Sequence, residues 1–440
     1  MTDNRIGNKV VIYLKNNKFA FIISAMYFLI SIFLRSILLN AFRSLYEGGY
    51  FNDSGRYTYL AENLLKKFSY SLDGVEAHCT TPPGYPFFLA FCYGLGFNDK
   101  MIMALQYFFG AIIIFLLCRT CKIYRLSKKA SIVVMLFSIL NLEAFIHNGA
   151  ILTENIYCLC LVAALYLWAK YFIVTKKKTY FLLFSLFFAA GMLVKPILVP
   201  FALVVLAVFI VLAVLKIIGI KEVIIYALCI FTVIGGWSYR NYTITGMFEY
   251  NYRFKLDAYR VLARNVEVNR TGTYKPSPSF EEGIEQIEPY LERYITEEEL
   301  ADKEEYVVAE YYEKAAKDYI GDHIFDTIKL CFKTTATMLL GPMRDFWDGL
   351  FGKGTLVSKL TANLYTVFLV CEYLVYLYCL ITNFKKLGLV DLSVFGYILY
   401  AVVASSTNFG SRYRLGFIYV IYFGIAMALS KYPYRKAECA

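Results

Sequence analysis

Runs of about twenty apolar residues recur along this chain and leave it one kind of fold. FAFIISAMYFLISIFLRSILL (19 to 39) and ILVPFALVVLAVFIVLAVL (197 to 215) each reach the length that a bilayer-crossing helix needs. Of the 440 residues, 59% are hydrophobic and 18% aromatic, more apolar surface than one water-soluble core would use. The expected fold class is an all-α polytopic membrane protein. Lys15 and Lys18 precede the first run and no small-residue cleavage site follows it, so it reads as a retained span with the N-terminus in the cytoplasm.

Spans are expected at about 19–40, 101–118, 130–147, 150–174, 179–194, 197–215 and 222–238. With that alternation Arg119, Lys122, Arg125, Lys128 and Lys129, then Lys176, Lys177 and Lys178, then Lys216 and Lys221, all face the cytoplasm. The same bias accounts for the net charge of +11, which is not gathered on one soluble face as nucleic-acid binding would require. The seventh span delivers residues 240–322 outward as a small extracytoplasmic domain, where Thr296 and Glu299 form a capping box for an acidic helix running to about Ile320. HIFDTIKLCFKTTATMLL (323 to 340) carries Asp326, Lys329 and Lys333 on one helical face and reads as an interfacial amphipathic helix. Counting it as a span would turn Lys385, Lys386 and the C-terminal basic cluster outward, against the bias.

Three further spans at about 356–382, 389–404 and 413–430 give about ten in all, and PFFLAFCYGLGF (86 to 97) is too short to cross. The chain then divides into an N-terminal transmembrane module (1–239) with a first outer loop at 43–85, the outer domain (240–322), and the interfacial helix with the last spans (323–440). Most of the eleven Cys residues lie in apolar runs, so no structural disulfide is expected; the lone Cys118 and Cys121 pair reads as helix-end packing.

Polar groups gather on one side of this topology. FNDSGRYTYLAENLLKKFSYSLDGVEAHCTTPPGYP (51 to 86) lies just past the first span and carries Asp53, in the kind of loop where catalytic groups tend to sit. His147, Glu154, Lys195, Arg240 and the loop SSTNFGSRYR (405 to 414) emerge on the same face. Such a set suits transfer of a sugar from a lipid phosphate to a hydroxyl or amine. The leaving group is good enough that one carboxylate can suffice, in contrast to the paired carboxylates of glycoside hydrolysis. Asp53 would take the acceptor's proton while the acceptor attacks opposite the phosphate and inverts the anomeric carbon.

Charge develops on the departing phosphate, and Lys195, Arg240, Arg412 and Arg414 are the cations expected to bind it. Taken singly, each reads better as an anchor that snorkels to lipid headgroups from a span end, and it is the converging set that points to phosphate; Arg35, inside the first span, is read as snorkelling. Glu154 is either a second catalytic acid or a carboxylate that complements its helix N-terminus. Arg56, Tyr57, His78 and Tyr85 are the expected substrate-binding residues. These residues establish no cofactor: a divalent metal held by Asp53, Glu154, His78 and His147 is one reading, but their spacing makes no ligand motif, and surface or packed histidines account better for His78 and His147. TPPGYP is a shape element whose Gly permits a sharp reversal.

These segments resemble the GT-C superfamily of polyprenyl-phosphate-sugar-dependent glycosyltransferases, in the branch of protein O-mannosyltransferases and lipid A aminoarabinose transferases. NDSGRYTYLAENLL resembles the acidic motif of the family's first loop, and TPPGYPFFLA its closing turn. LTEN is similar to the acid that opens the fourth span, AAGMLVKP to a Gly-to-basic-Pro span end, GGWSYRNY to the Trp-x-x-Arg-Asn motif before the large loop, and RYRLGF to the RYR-type ending. By this resemblance Asp53 matches the catalytic base, while Lys195, Arg240 and Arg412 match positions near the lipid phosphate. Two departures stand out: Asn52 and Ser54 flank Asp53 where many members carry paired acids, and Gly416 replaces the usual Pro after the final RYR.

The resemblance implies a polyprenyl-phosphate-linked sugar donor, an extracytoplasmic glycan, lipid or protein as acceptor, and a lipid bilayer as host. The expected location is a bacterial cytoplasmic membrane with the site facing outward. An outer-face polysaccharide polymerase or ligase is the alternative. A transporter fits less well, because its ionisable groups would sit near the bilayer midplane.

Overall fold

The computed structural model describes residues 17–47, 51, 53–272, 282–407 and 410–429, and all regular structure among them is helical. Among these residues, five helices are long and apolar enough to cross a membrane: Lys18–Ile37, Asp99–Ile123, Glu154–Thr175, Ile220–Thr245 and Leu356–Lys386. A sixth arises if Lys128–Ile139 and Leu142–Asn148, bent by 47°, count as one. Lys178–Val194, Leu198–Val214 and Leu389–Ser405 are shorter apolar helices.

Helix Leu415–Ala428 is apolar all round, and all of it except Gly416 is buried, as befits a helix at the centre of a bundle. It packs against Asp99–Ile123, Lys128–Ile139, Glu154–Ala169, Leu356–Asn383 and Leu389–Ser405. The perimeter is apolar as well: Leu29, Phe33, Val211, Val214, Leu364 and Ile381 are all exposed. In water such a surface would drive association; against acyl chains it matches its surroundings.

Helix ends follow local chemistry. Asn98 accepts from the Met101 amide (3.1 Å) and Thr355 from the Ser358 amide (3.2 Å), each satisfying an N–H that an α-helix leaves open. The run expected at 130–147 is interrupted because Asn141 caps a second helix, accepting from the Ala144 amide at 3.1 Å. The first run likewise stops at Ile37, and a separate helix Leu39–Glu47 follows and packs on Arg344–Phe351. Ile220–Thr245 outruns its expected end at 238 and stops at Gly246, whose φ of 74° is the left-handed C-cap conformation. Arg240 therefore stands on a helix.

Beyond that helix, the polar segment builds a hydrophobic cluster of its own. Leu256, Tyr259 and Ala263 pack against Val308, Ala315 and Tyr319, and Tyr259 stacks on Tyr312 at 4.6 Å. The capping box forms as expected: Thr296 Oγ1 accepts from the Glu299 amide, and Glu299 Oε2 accepts from the Thr296 amide, each at 3.3 Å. The helix it opens is short, however. Glu297–Ala301 ends before a break at 302–304, and Glu305–Asp322 is a second helix. Ile324–Leu340 forms a helix that buries Leu330, Thr334 and Met338 and exposes Phe325, Ile328 and Phe332.

The turn TPPGYP needs its glycine for a reason other than reversal, since Gly84 is not among the residues with positive φ. A Cβ there would lie 2.7 Å from the carbonyl carbon of Leu193 and 2.9 Å from the Val194 amide nitrogen, both backbone. The turn thus seats directly on the end of helix Lys178–Val194. Gly84→Ala should cost about 1–3 kcal/mol by overpacking, seen as a lower thermal transition of the detergent-solubilised protein. Gly396→Ala, where a Cβ would meet nothing within 4 Å, should leave that transition in place or raise it.

Candidate active site

Asp53 is the first residue of helix Asp53–Lys67, which packs along Gly84–Gly94. From a turn 359 positions further on, Arg412 Nη2 donates to Asp53 Oδ2 at 2.6 Å. The Nε of the same guanidinium lies 3.5 Å from Glu154 Oε1, and that oxygen accepts from Lys195 Nζ at 2.9 Å. Arg56 approaches Asp53 from the next helical turn, Nη1 to Oδ1 at 4.0 Å. Two carboxylates and three cations from four separate segments therefore form one chain of charge.

Each segment has a local reason to present its side chain. Lys195 precedes Pro196, whose ring disfavours helical backbone in the residue before it; Lys195 is accordingly extended (φ −134°, ψ 116°) and closes helix Lys178–Val194. Glu154 opens its helix after a buried non-helical stretch at 149–153. Gln106 holds that stretch by donating to the carbonyls of Ala150 (2.6 Å) and Asn148 (3.2 Å), and Asn155 donates to the Gln106 carbonyl at 2.9 Å. Irregular backbone of this kind survives within a membrane protein only where protein satisfies it. Glu154 itself is 1% exposed, and its carboxylate lies beneath both Lys195 and Arg412.

A cavity of about 380 Å³ opens above this chain, lined by Asp53, Arg56, Tyr57, Lys195 and Arg412 among others. Burial alone would raise the Asp53 carboxyl, but the charge and hydrogen bond of Arg412, helped by Arg56, outweigh it and hold the group below its ordinary value. Arg412 is also buried, which would lower it; Glu154, Tyr413 and Asp53 reverse that and keep the guanidinium firmly charged.

Several expected site residues are placed elsewhere. Arg240 donates to the carbonyls of His78 (2.7 Å) and Tyr70 (3.4 Å) and stacks over Trp237, so its guanidinium ties down the first loop and does not line the cavity. Arg414 is wholly buried. It pairs with Glu143 and donates to the carbonyls of Leu339 (2.8 Å) and Gly341 (3.2 Å), closing the C-terminus of helix Ile324–Leu340. His78 is buried against Thr81 Oγ1 at 2.7 Å, and its pKa is pushed down to about 4 by burial and then by Arg56, Arg240 and Arg253. Tyr85 donates to Gln106 Oε1 (2.8 Å) and meets Tyr57 edge-on at 5.2 Å, behind the cavity wall. His147 is buried, its Nδ1 2.7 Å from the Glu143 carbonyl oxygen, and Arg35 lies over the Phe42 ring at 3.8 Å. Among the described residues, no three His, Cys, Asp or Glu side chains are grouped to hold a metal ion.

One wall of the cavity comes from residues that sequence reasoning passed over. Asn251, Arg253, Phe254 and Asp257 line it from the segment after the long helix. Nothing in their order marks them beforehand; only the return of that segment over Asp53 does.

Replacing Arg414 by Ala should destabilise the protein by about 3–5 kcal/mol, because Glu143 would be left charged in the interior. Thermal denaturation of the solubilised protein measures this, and removing both partners with Glu143→Leu and Arg414→Met should recover most of the loss.

The family model for dolichyl-phosphate-mannose-protein mannosyltransferase matches residues 80–237. The matched stretch runs from the closing turn of the first loop to Trp237; it includes Glu154 and Lys195 and leaves out Asp53, Arg412 and the segment beyond the long helix. No curated protein and no solved structure matches the chain. With its apolar helices, the chain is an integral membrane protein, and over residues 80–237 it is similar to that mannosyltransferase family.

Proposed function

We propose that this protein transfers a sugar from a polyprenyl-phosphate donor to an acceptor outside the cytoplasmic membrane, with Asp53 as general base and inversion at the anomeric carbon. The observation that carries the reading is the single cavity in which Asp53, Arg412 and Lys195 meet over a buried Glu154. In this reading the shorter apolar helices and Leu415–Ala428 also lie in the bilayer, giving about ten spans. The cavity faces outward with residues 240–322 above it.

Arg412 holds Asp53 in the free protein, and a paired carboxylate is a weak base. A donor phosphate entering beside Lys195 offers Arg412 two oxygens in the forked geometry that a guanidinium prefers. Transfer of Arg412 to the phosphate leaves Asp53 with burial as the dominant influence, which raises its proton affinity when the acceptor arrives. The acceptor oxygen then bonds to the anomeric carbon and gives its proton to Asp53, and the bond to the phosphate oxygen breaks with its electron pair on the phosphate. Lys195 and Arg412 neutralise that charge where it develops. Glu154 keeps both cations at the site.

Asp53→Asn should lower release of sugar from an undecaprenyl-phosphate-mannose probe by about 10²–10⁴-fold, without loss of folded protein in the membrane. Wild-type rates in this variant would remove Asp53 from the role of base. The pH dependence carries a sign. Because the Asp53 pKa is depressed by Arg412, the base stays ionised into acid, and the acid limb of kcat/KM falls below the ordinary carboxylate range. In Arg412→Gln burial acts with less opposition, so that limb should move to higher pH. An unmoved limb would mean that another group titrates.

A further inference from the structure

We propose that the part of the cavity wall built by Arg253, Phe254 and Asp257 is a sugar-binding subsite and that the acceptor is a glycan. All three side chains line the same cavity as Asp53. They stand on helix Arg253–Asp257, whose end runs into a π-helical turn over Ala258–Ala263; single π turns inside helices are frequent at functional sites.

The chemistry of the wall suits a polyhydroxylated ring. Arg253 Nε lies 2.9 Å from Asp257 Oδ1 and 3.0 Å from Oδ2, so one nitrogen bridges both carboxylate oxygens. Among the described residues, the two Nη groups of Arg253 make no hydrogen bond through their side of the fork. The pair offers donors and acceptors side by side, and neighbouring hydroxyls of a sugar present the complementary pattern. Phe254, next in the chain and 54% exposed, supplies the apolar face on which the C–H side of a sugar ring packs. Charge argues the same way. Arg253 and Asp257 neutralise each other, so this part of the lining suits a neutral ligand better than a phosphate, for which the same cavity holds Lys195 and Arg412. Asp257 and Asp53 line the same cavity, so a ligand held by this pair shares that space with the base. A peptide acceptor would gain little from this wall, since one serine or threonine hydroxyl uses a single position of the fork. The role of this ligand as acceptor rests on the transferase reading; the ability of the wall to hold a sugar does not.

Saturation-transfer difference NMR on the full-length protein in nanodiscs tests the proposal. The probes are methyl α-mannopyranoside and methyl β-glucopyranoside, with N-acetyl-threonine amide as the peptide probe. At least one glycoside should bind; Asp257→Asn should weaken it roughly tenfold or more, the scale of losing a hydrogen bond to a charged group, and Phe254→Ala should weaken it by a similar factor through loss of the apolar face. Asp53→Asn should retain glycoside binding while losing donor cleavage. Glycoside signals unchanged in both wall variants, no glycoside signal in the wild type, or binding of the peptide probe alone would each overturn the proposal. Failure of the wild-type protein to cleave the donor, with glycoside binding intact, would instead remove the transferase reading and leave the sugar subsite standing.

Discussion

Glu154 is the constraint around which the rest is arranged. A carboxylate 1% exposed at the head of an apolar helix is tolerable only if opposite charge is brought to it, since stranding it in a low-dielectric interior costs several kcal/mol. Lys195 and Arg412 meet that requirement from two other parts of the bundle. Bringing them to Glu154 also brings Arg412 to Asp53. The electrostatic need of one buried acid thereby gathers Asp53, Arg412 and Lys195 into the lining of one cavity.

A second buried pair fixes the aim of the first. Arg414 lies in the same short turn as Arg412, Ser411–Arg414, and its bonds to Glu143 and to the end of helix Ile324–Leu340 hold that turn from beneath. The two arginines of RYR divide their work accordingly, one facing the cavity and the other locking the backbone that carries it. Arg240 and Gly84 act similarly on the first loop, the former by gripping carbonyls at Tyr70 and His78 and the latter by admitting the turn onto Leu193 and Val194.

Much of this was legible in the chain itself. Apolar runs mark most of the long helices, and polar residues at their ends mark Asp53, Glu154, Lys195 and Arg412. Charge type alone does not separate a cavity-lining arginine from one that binds backbone carbonyls, which is why Arg240 and Arg414 read the same as Arg412 before their hydrogen-bond partners are known. Helix breaks such as that at Asn141 are hidden because a capping side chain can sit inside an otherwise apolar run. The cavity wall at 251–262 is illegible for another reason: its residues lie far in sequence from the first loop, and only the three-dimensional return of the chain relates them.

The π-helical turn at Ala258–Ala263 sets the register of that wall. A π turn accommodates one residue more than an α turn, and Val261 and Leu262, which border the cavity, come from within it. Loss of a single residue there would restore α geometry and swing the wall by roughly 100° relative to the helix that follows. The phase of one helix thus governs which side chains of that segment face the cavity that Asp53, Lys195 and Arg412 also line, so a one-residue insertion or deletion there would rebuild this part of the lining and leave those three residues in place.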